Sequence, residues 1–172
     1  PATHEFAARL LATGIRQDLI SRQLWDTASF GYLKVLSAAL ERARLEPDAA
    51  AGRGLVWTVV PRADRARYGV AMHEIEGLID VVRKASEAEV ALVLKECDDG
   101  SYYGSSRSKG AVDLAAVCAG LGGGGHAFAA GFTSYDDVPV VLSRFRELLD
   151  RAARGDRTDS ADQVVERAEQ AR

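Results

Sequence analysis

The chain has 172 residues, of which 47% are hydrophobic and 27% charged, and its formal net charge is −3 at pH 7. This composition is typical of a globular protein and excludes a largely disordered chain. The net negative charge argues against the extensive basic surface that a large nucleic-acid interface needs. A local basic pocket would still suffice for a nucleotide or a very short oligonucleotide.

The sequence shows neither a signal peptide nor an apolar run near the roughly 18 residues of a membrane span, so we expect a cytoplasmic protein without membrane contact. Cys97 and Cys118 lie far apart and form no CxxC motif. We expect both to be buried apolar residues rather than a disulfide or a metal pair. Since His4, His73 and His126 are scattered, no metal site is expected.

The amino-terminal part of the chain, residues 1–46, has apolar residues at helical spacing. The sequence EPDAAAGRG at 46–54 is rich in Pro, Ala and Gly and predicts a domain boundary. We therefore divide the chain into a helical connector at 1–48, a domain at 49–155 and a polar tail at 156–172.

Strand and helix patterns are mixed in the predicted domain. Strand patterns occur at 55–60, 89–97, 102–108 and 129–135, and helix patterns at 73–85, 112–121 and 136–155. The turn sequence DDGS between the second and third strands predicts a hairpin. These patterns predict an α/β fold, a mixed β-sheet with helices packed on it, preceded by the helical connector.

The segment GLGGGGHAFAAGF at 120–132 concentrates glycines ahead of one histidine. It formally matches GxGxxG, but a helix pattern rather than a strand precedes it, so a Rossmann site is rejected. The P-loop pattern GxxxxGK[ST] is absent from the sequence. A flexible linker is disfavoured because both flanks are apolar, whereas Gly/Ser spacers have polar flanks.

Close approach of the backbone to a ligand explains the glycine run better. Consecutive N–H groups without Cβ atoms surround an anion readily, and a helix starting at about residue 125 would add its positive end. The expected ligand contacts are Gly122, Gly123, Gly124, Gly125 and His126.

A second constellation, SSRSKG at 105–110, follows a predicted strand. Arg107 offers a planar fork for phosphate, Lys109 a point charge, and Ser106 and Ser108 small hydroxyl donors. The segment alone is also consistent with a solvated hairpin end, and its spacing does not establish that it meets the glycine run.

Taken together, SSRSKGAVDLAAVCAGLGGGGHAFAAGF resembles the C-terminal, DHH-associated domain of the DHH phosphoesterases. The similarity is strongest to the NrnA-type bifunctional oligoribonuclease/pAp phosphatases, including actinobacterial members that also hydrolyse cyclic di-AMP products. It covers about 50–155. The matching residues run from Ser106 through Gly110, continue with Val112 and Asp113, and end with Gly122 to His126 and Ala129 to Gly131.

The resemblance implies a division of labour between two domains. The family's N-terminal domain holds two manganese ions through Asp and His residues, including an Asp-His-His run, and the metals generate the nucleophile. The C-terminal domain binds the phosphate, sugar or base of short RNA, a dinucleotide or a nucleotide. Arg107, His126 and the amides of residues 122–125 would be its main contacts, and a homodimer is implied.

The sequence departs from this family pattern because it contains no Asp-His-His run. We therefore expect no catalytic residue, metal or cofactor in this chain, and no manganese-dependent hydrolysis by it alone. The first hypothesis is the substrate-binding part of a phosphodiesterase, with residues 1–48 ending its metal-binding domain. The alternative is a stand-alone nucleotide- or RNA-binding module without catalysis.

Overall fold

The computed structural model describes residues 1–155, and the polar tail predicted from residue 156 lies outside them. In chain order the helices are α1 (Ala2–Ala12), α2 (Gln17–Trp25), α3 (Phe30–Arg42), α4 (Ala49–Gly52), α5 (Arg62–Tyr68), α6 (Leu78–Val82), α7 (Leu114–Ala119) and α8 (Val138–Arg154). The strands are β1 (Arg44–Glu46), β2 (Leu55–Val60), β3 (Val90–Glu96), β4 (Tyr102–Ser108), β5 (Gly124–His126) and β6 (Ala129–Ser134).

The strands form one mixed sheet in the order β1-β2-β3-β4-β6-β5. Only β2 and β3 pair in parallel among these strands, and the other neighbours are antiparallel. A parallel pair needs a crossover connection, and α5, a 3₁₀ turn at Met72–Ile75 and α6 supply it. The predicted α/β class and the β3–β4 hairpin are thus confirmed.

One face of the sheet is covered by α7 and α8. Side chains of alternate strand positions pack there against both helices, and Phe132 meets Phe145 at a ring-centroid distance of 6.0 Å. Asp113 begins α7 by accepting a hydrogen bond from the Ala115 amide at 2.8 Å, and Pro139 lies in the first turn of α8. These starts agree with the sequence pattern.

The opposite face is covered over β2 and β3 by α3, α5 and α6. Val35 and Ala39 of α3 are fully buried there together with Ile79 of α6. In contrast, α1 and α2 contain no buried residue, and they expose large apolar side chains such as Leu24 and Trp25. Among the described helices, α3 thus contributes to the core of the sheet whereas α1 and α2 do not.

Several local predictions were wrong. Arg44–Glu46, expected to be helical, forms β1 because it pairs with β2. The predicted loop at 46–54 includes the short element α4, in which Ala50 and Ala51 have non-helical backbone angles with φ values of 56° and 54°. The helix predicted at 73–85 is divided at Gly77 into a 3₁₀ turn and α6. No sequence pattern predicted α5.

The two cysteines are free thiols, which agrees with the prediction that they form no disulfide. Cys118 is buried in the core beside α8, and burial raises the pKa of its thiol. Cys97 follows β3 and is only partly buried, so the prediction that both are buried holds for Cys118 alone.

Gly104→Ala should destabilise the fold because a Cβ at Gly104 would lie 2.6 Å from ring atoms of Phe132. That ring is 2% exposed and cannot move without disturbing Phe145. We expect a loss of about 1–3 kcal/mol in the free energy of unfolding, as for other overpacked cores. Gly77→Ala is the matched control, since its Cβ would meet nothing within 4 Å. Equal stability of the two variants in chemical denaturation would contradict this packing constraint.

Glu46→Gln should remove a pH-dependent contribution to stability. Two nitrogens of Arg146 donate to the Glu46 carboxylate at 2.8 and 2.5 Å, and Trp57 Nε1 donates to it at 2.6 Å. The Arg146 guanidinium holds the pKa of Glu46 below its ordinary value of 4.5. Since the pair is partly exposed, we expect a loss of about 1 kcal/mol at pH 7.

The sign of the pH dependence follows from the lowered pKa. The Glu46 carboxylate stabilises the fold above pH 4.5, and this contribution is lost as the pH falls through the lower folded-state value. Urea denaturation should therefore show the difference between Glu46→Gln and the unaltered chain shrinking below pH 4.5. Asp136→Asn, in the more exposed pair with Arg144, should have a smaller effect. A constant difference from pH 7 to pH 3 would contradict the assignment.

Candidate functional site

A pocket of about 380 Å³ opens on the uncovered part of the second sheet face. Over β2 and β3 this face is packed against helices, whereas β4, β6 and β5 leave it accessible. The lining residues come from these strands, from β3 and from the segment before α6: Glu76, Lys95, Tyr103, Ser105, Arg107, Gly124, Gly125, Ala129, Ala130 and Gly131.

The two-residue period of β4 determines which of its side chains reach the pocket. Tyr103, Ser105 and Arg107 alternate along the strand and share the pocket face. The intervening Ser106 and Ser108 point to the opposite face, where both are almost fully buried. The segment SSRSKG is therefore divided between two faces of the sheet.

Arg107 lies at the rim of the pocket, with its side chain 28% exposed. One guanidinium nitrogen donates to the Ser106 carbonyl at 3.0 Å, and Nε lies 3.8 Å from Asp80 Oδ1 of α6. Within residues 1–155 these contacts hold the guanidinium in place and leave further N–H donors to face the pocket. The geometry suits recognition of an anionic oxygen pair.

Lys95 is a pocket residue that the sequence analysis missed. It faces Tyr103 across the β3–β4 pair, and its Nζ lies 4.8 Å from the centre of the Tyr103 ring. Only 2% of the residue is exposed. Burial lowers the pKa of the Lys95 ammonium, the charge of Glu76 opposes this shift, and that of Arg107 adds to it.

Tyr103 itself extends across the sheet because Gly131 has no side chain. A Cβ at Gly131 would lie 3.0 Å from the Tyr103 hydroxyl oxygen and 2.8 Å from the Gly104 carbonyl oxygen. The glycine in the AAG sequence thus admits the aromatic ring that contacts Lys95. The sequence contains a signal for Lys95 and Tyr103. In the β3–β4 hairpin, both residues lie on the same face of the strands as Arg107.

The glycine run forms an edge strand, so the prediction of a helix starting at about residue 125 was wrong. Gly124 pairs with Gly131 and Gly125 with Ala130, which makes β5–β6 a tight hairpin. A Cβ at Gly123 would lie 2.1 Å from the Gly131 carbonyl oxygen. The pairing of β5 with β6 therefore replaces the expected helix, because glycines allow the two backbones to approach closely.

Different structural constraints apply to the individual glycines of the run. Gly122 has a φ of 77° in the turn after α7, which favours glycine. A Cβ at Gly125 would lie 2.6 Å from the Ala129 carbonyl oxygen, so a side chain does not fit there either. A Cβ at Gly124 would meet nothing within 4 Å, and Gly124 lines the pocket.

The remaining predicted site residues lie outside the pocket lining. Ser106 donates to the Ala130 carbonyl at 2.8 Å, and Ser108 donates to Glu89 at 2.8 Å, so both hydroxyls are bonded within the protein. Lys109 donates to the Ala85 carbonyl. His126 is exposed at the end of β5. The structure thus brings Arg107 together with Gly124 and Gly125 of the run. The other predicted site residues are absent from this lining: Ser106, Ser108, Lys109, Gly122, Gly123 and His126.

In residues 1–155, no group of three or more His, Cys, Asp or Glu residues is placed to hold a metal ion. Over the same range, none of the helices has both the length and the apolar character required to cross a bilayer.

Comparison with known proteins gives a family match and a shared fold. Residues 54–155 match the family model described as the DHHA1 domain. An exopolyphosphatase-related protein from Bacteroides fragilis has a TM-score of 0.78 at 20% identity, covering 88% of this chain and 44% of that chain. This chain therefore spans less than half the length of that protein, whose fold it shares.

Two other structures are less similar. A pGpG-specific phosphodiesterase, PggH from Vibrio cholerae, has a TM-score of 0.46 at 9% identity, covering 71% of this chain and 40% of that chain. An uncharacterized protein from Helicobacter pylori has a TM-score of 0.38 at 13% identity, covering 73% and 35%.

Alanine substitutions in the glycine run should separate the structural glycines from the pocket glycine. Gly123→Ala should lower the free energy of unfolding by about 2 kcal/mol or more, because backbone atoms of β6 occupy the Cβ position. Gly124→Ala should change it by less than about 0.5 kcal/mol, since the methyl group enters open space. Chemical denaturation of both variants measures this difference, and equal losses would contradict the described approach of β5 to β6.

Proposed function

Since the chain belongs to the DHHA1 domain family, we propose that it is the substrate-binding part of a phosphoesterase that acts on short oligoribonucleotides or phosphorylated nucleotides. The observation that carries the proposal is the meeting of Arg107, Lys95 and the exposed backbone of Gly124 in one open pocket. Cations and unobstructed backbone are the groups that bind a phosphate.

The size and chemistry of the pocket support a small anionic ligand. A volume of about 380 Å³ falls within the range of ordinary small-molecule sites. The lining combines a guanidinium, a buried ammonium and the Ser105 hydroxyl with an aromatic ring, and includes one carboxylate, Glu76. Polar groups of this kind fix a phosphate, and the Tyr103 ring offers a surface for a sugar or base.

In this proposal, hydrolysis requires groups beyond residues 1–155. The described residues include no cluster suited to a metal ion, so they do not fit the two manganese ions that the family resemblance implies. A separate metal-binding domain of the same enzyme would hold them, and this chain would position the phosphate. The coverage of 44% of the Bacteroides fragilis protein is consistent with such a second part.

The finer assignment rests on the matching segment from Ser106 to Gly131. Its similarity to the NrnA-type oligoribonuclease/pAp phosphatases, including actinobacterial members, favours pAp, very short RNA and linear or cyclic di-AMP as substrates. All of these carry phosphate groups on adenosine or on a few nucleotides. Each would present an anion to Arg107 and a ring to Tyr103.

Arg107→Ala should weaken binding of the dinucleotide pApA to the 172-residue chain by roughly 10- to 100-fold, because hydrogen bonds to charged groups contribute about 1.5–3 kcal/mol. Arg83→Ala is a matched control, since Arg83 also lies 3.8 Å from Asp80 Oδ1 but does not line the pocket. Isothermal titration calorimetry of the three proteins measures the effect.

The Gly124→Ala variant provides an independent test by the same pApA titration. The methyl group would project into the pocket, so pApA affinity should fall although the stability of the protein does not. The proposal is overturned by equal affinities of the Arg107→Ala and Arg83→Ala variants. It is also overturned if the unaltered chain gives no heat with pApA, alone and with a metal-binding domain restored.

A further inference from the structure

Lys95 and Arg107 line the pocket from the neighbouring strands β3 and β4. Lys95 is in register with Tyr103, and Arg107 follows Tyr103 by four positions along β4. At about 3.3 Å per residue, the backbone positions of the two residues are roughly 13 Å apart along the strand direction. Both residues line the same pocket, with Ser105 between them.

The Lys95 side chain is almost fully buried, and the Glu76 carboxylate that lines the same pocket acts on it from beyond ion-pair distance. The residue is 2% exposed, and none of the ion pairs within residues 1–155 includes it. Its described close contact is the Tyr103 ring, 4.8 Å from Nζ. A buried charge is costly unless it is paired, so this ammonium is poised to accept an anionic partner.

Another buried cation of the chain shows the usual arrangement. Arg65 is 5% exposed, and its guanidinium donates to the Glu96 carbonyl at 3.0 Å and to Asp98 Oδ1 at 3.1 Å. Asp98 thus pairs with its charge at the protein surface, although Nε of Arg65 has no hydrogen-bond partner among the described residues. Lys95 differs because its described close contact is an aromatic face, because the Glu76 carboxylate acts on it only from beyond ion-pair distance, and because its side chain lines an open cavity.

We propose that Lys95 is a second anion-binding residue of the pocket, separate from Arg107, and that it selects ligands with two phosphate groups over ligands with one. This inference rests on the proposed function, since it places a first phosphate at Arg107. The second phosphate would lie against Nζ beside the Tyr103 ring and supply the counter-ion that the described residues do not provide within ion-pair distance.

The selectivity for two phosphates can be measured with a pair of nucleotides. Adenosine 3′,5′-bisphosphate and adenosine 5′-monophosphate are titrated into the unaltered 172-residue chain and into Lys95→Met, which keeps the length of the side chain but not its charge. In the unaltered chain the bisphosphate should bind at least tenfold more tightly than the monophosphate. In Lys95→Met this ratio should fall to about one, with monophosphate affinity changed less than twofold.

Control variants separate a binding role from a structural one. Lys84→Met removes an exposed lysine outside the pocket and should leave the ratio unchanged. Lys95→Arg should keep a ratio above one because the charge is retained. Thermal unfolding of each variant shows that it is folded, and Lys95→Gln replaces Lys95→Met if the latter does not unfold cooperatively.

The outcomes also distinguish this inference from the proposed function. An unchanged ratio in the folded Lys95→Met or Lys95→Gln variant overturns the role of Lys95, even if both affinities fall together. If Arg107→Ala then still weakens both ligands, the phosphate site of the proposed function stands. Absence of binding by either nucleotide to the unaltered chain overturns both.

Discussion

The pairing of β4 with β3 on one side and β6 on the other determines where the pocket side chains lie. A slip of one residue would move Arg107 into the core beneath α7 and α8 and place Ser106 in the pocket. Gly104 contributes to specifying this register, because it is paired with Phe132 and a Cβ at its position would clash with that ring. Core packing and pocket chemistry thus depend on the same alignment.

The pocket exists because helices cover the two faces of the sheet unequally. The crossover between β2 and β3 places α5 and α6 over that pair of strands, whereas β4, β6 and β5 are connected through α7 on the other face. Lys95 lies at the border between the covered and the open part. Its side chain is therefore almost fully removed from solvent and still borders the cavity. Neither a core residue nor an exposed surface residue combines these two properties.

Much of the sheet could be predicted from local sequence, because β2, β3, β4 and β6 combine strand-forming residues with clear turn signals. The edge strand β1 could not, since it continues a helical pattern and is specified by its pairing with β2. The helix α5 lacks a strong apolar period and was missed for a related reason. In both cases tertiary contacts outweigh local preference.

The candidate site shows the same limit. Arg107 and the glycine run were found because their residue types are unusual, but four glycines contain no period from which a strand could be distinguished from a helix start. Lys95 was not identified from the sequence because it lies in the predominantly apolar segment that forms β3. Its role follows only from the register that brings it opposite Tyr103, and that is a non-local property.

The lengths of the edge strands affect how readily the sheets of two copies of the protein could pair with each other. The outermost strands, β1 and β5, have three residues each, whereas the central β3 and β4 have seven. Long, exposed outer strands are templates on which other chains add and aggregate. Here an incoming strand would find few free backbone groups on either side. The apolar strands β2 and β3 lie inside the sheet and not at its edges, so the sheet resists growth into fibrils although much of its sequence is strongly strand-forming.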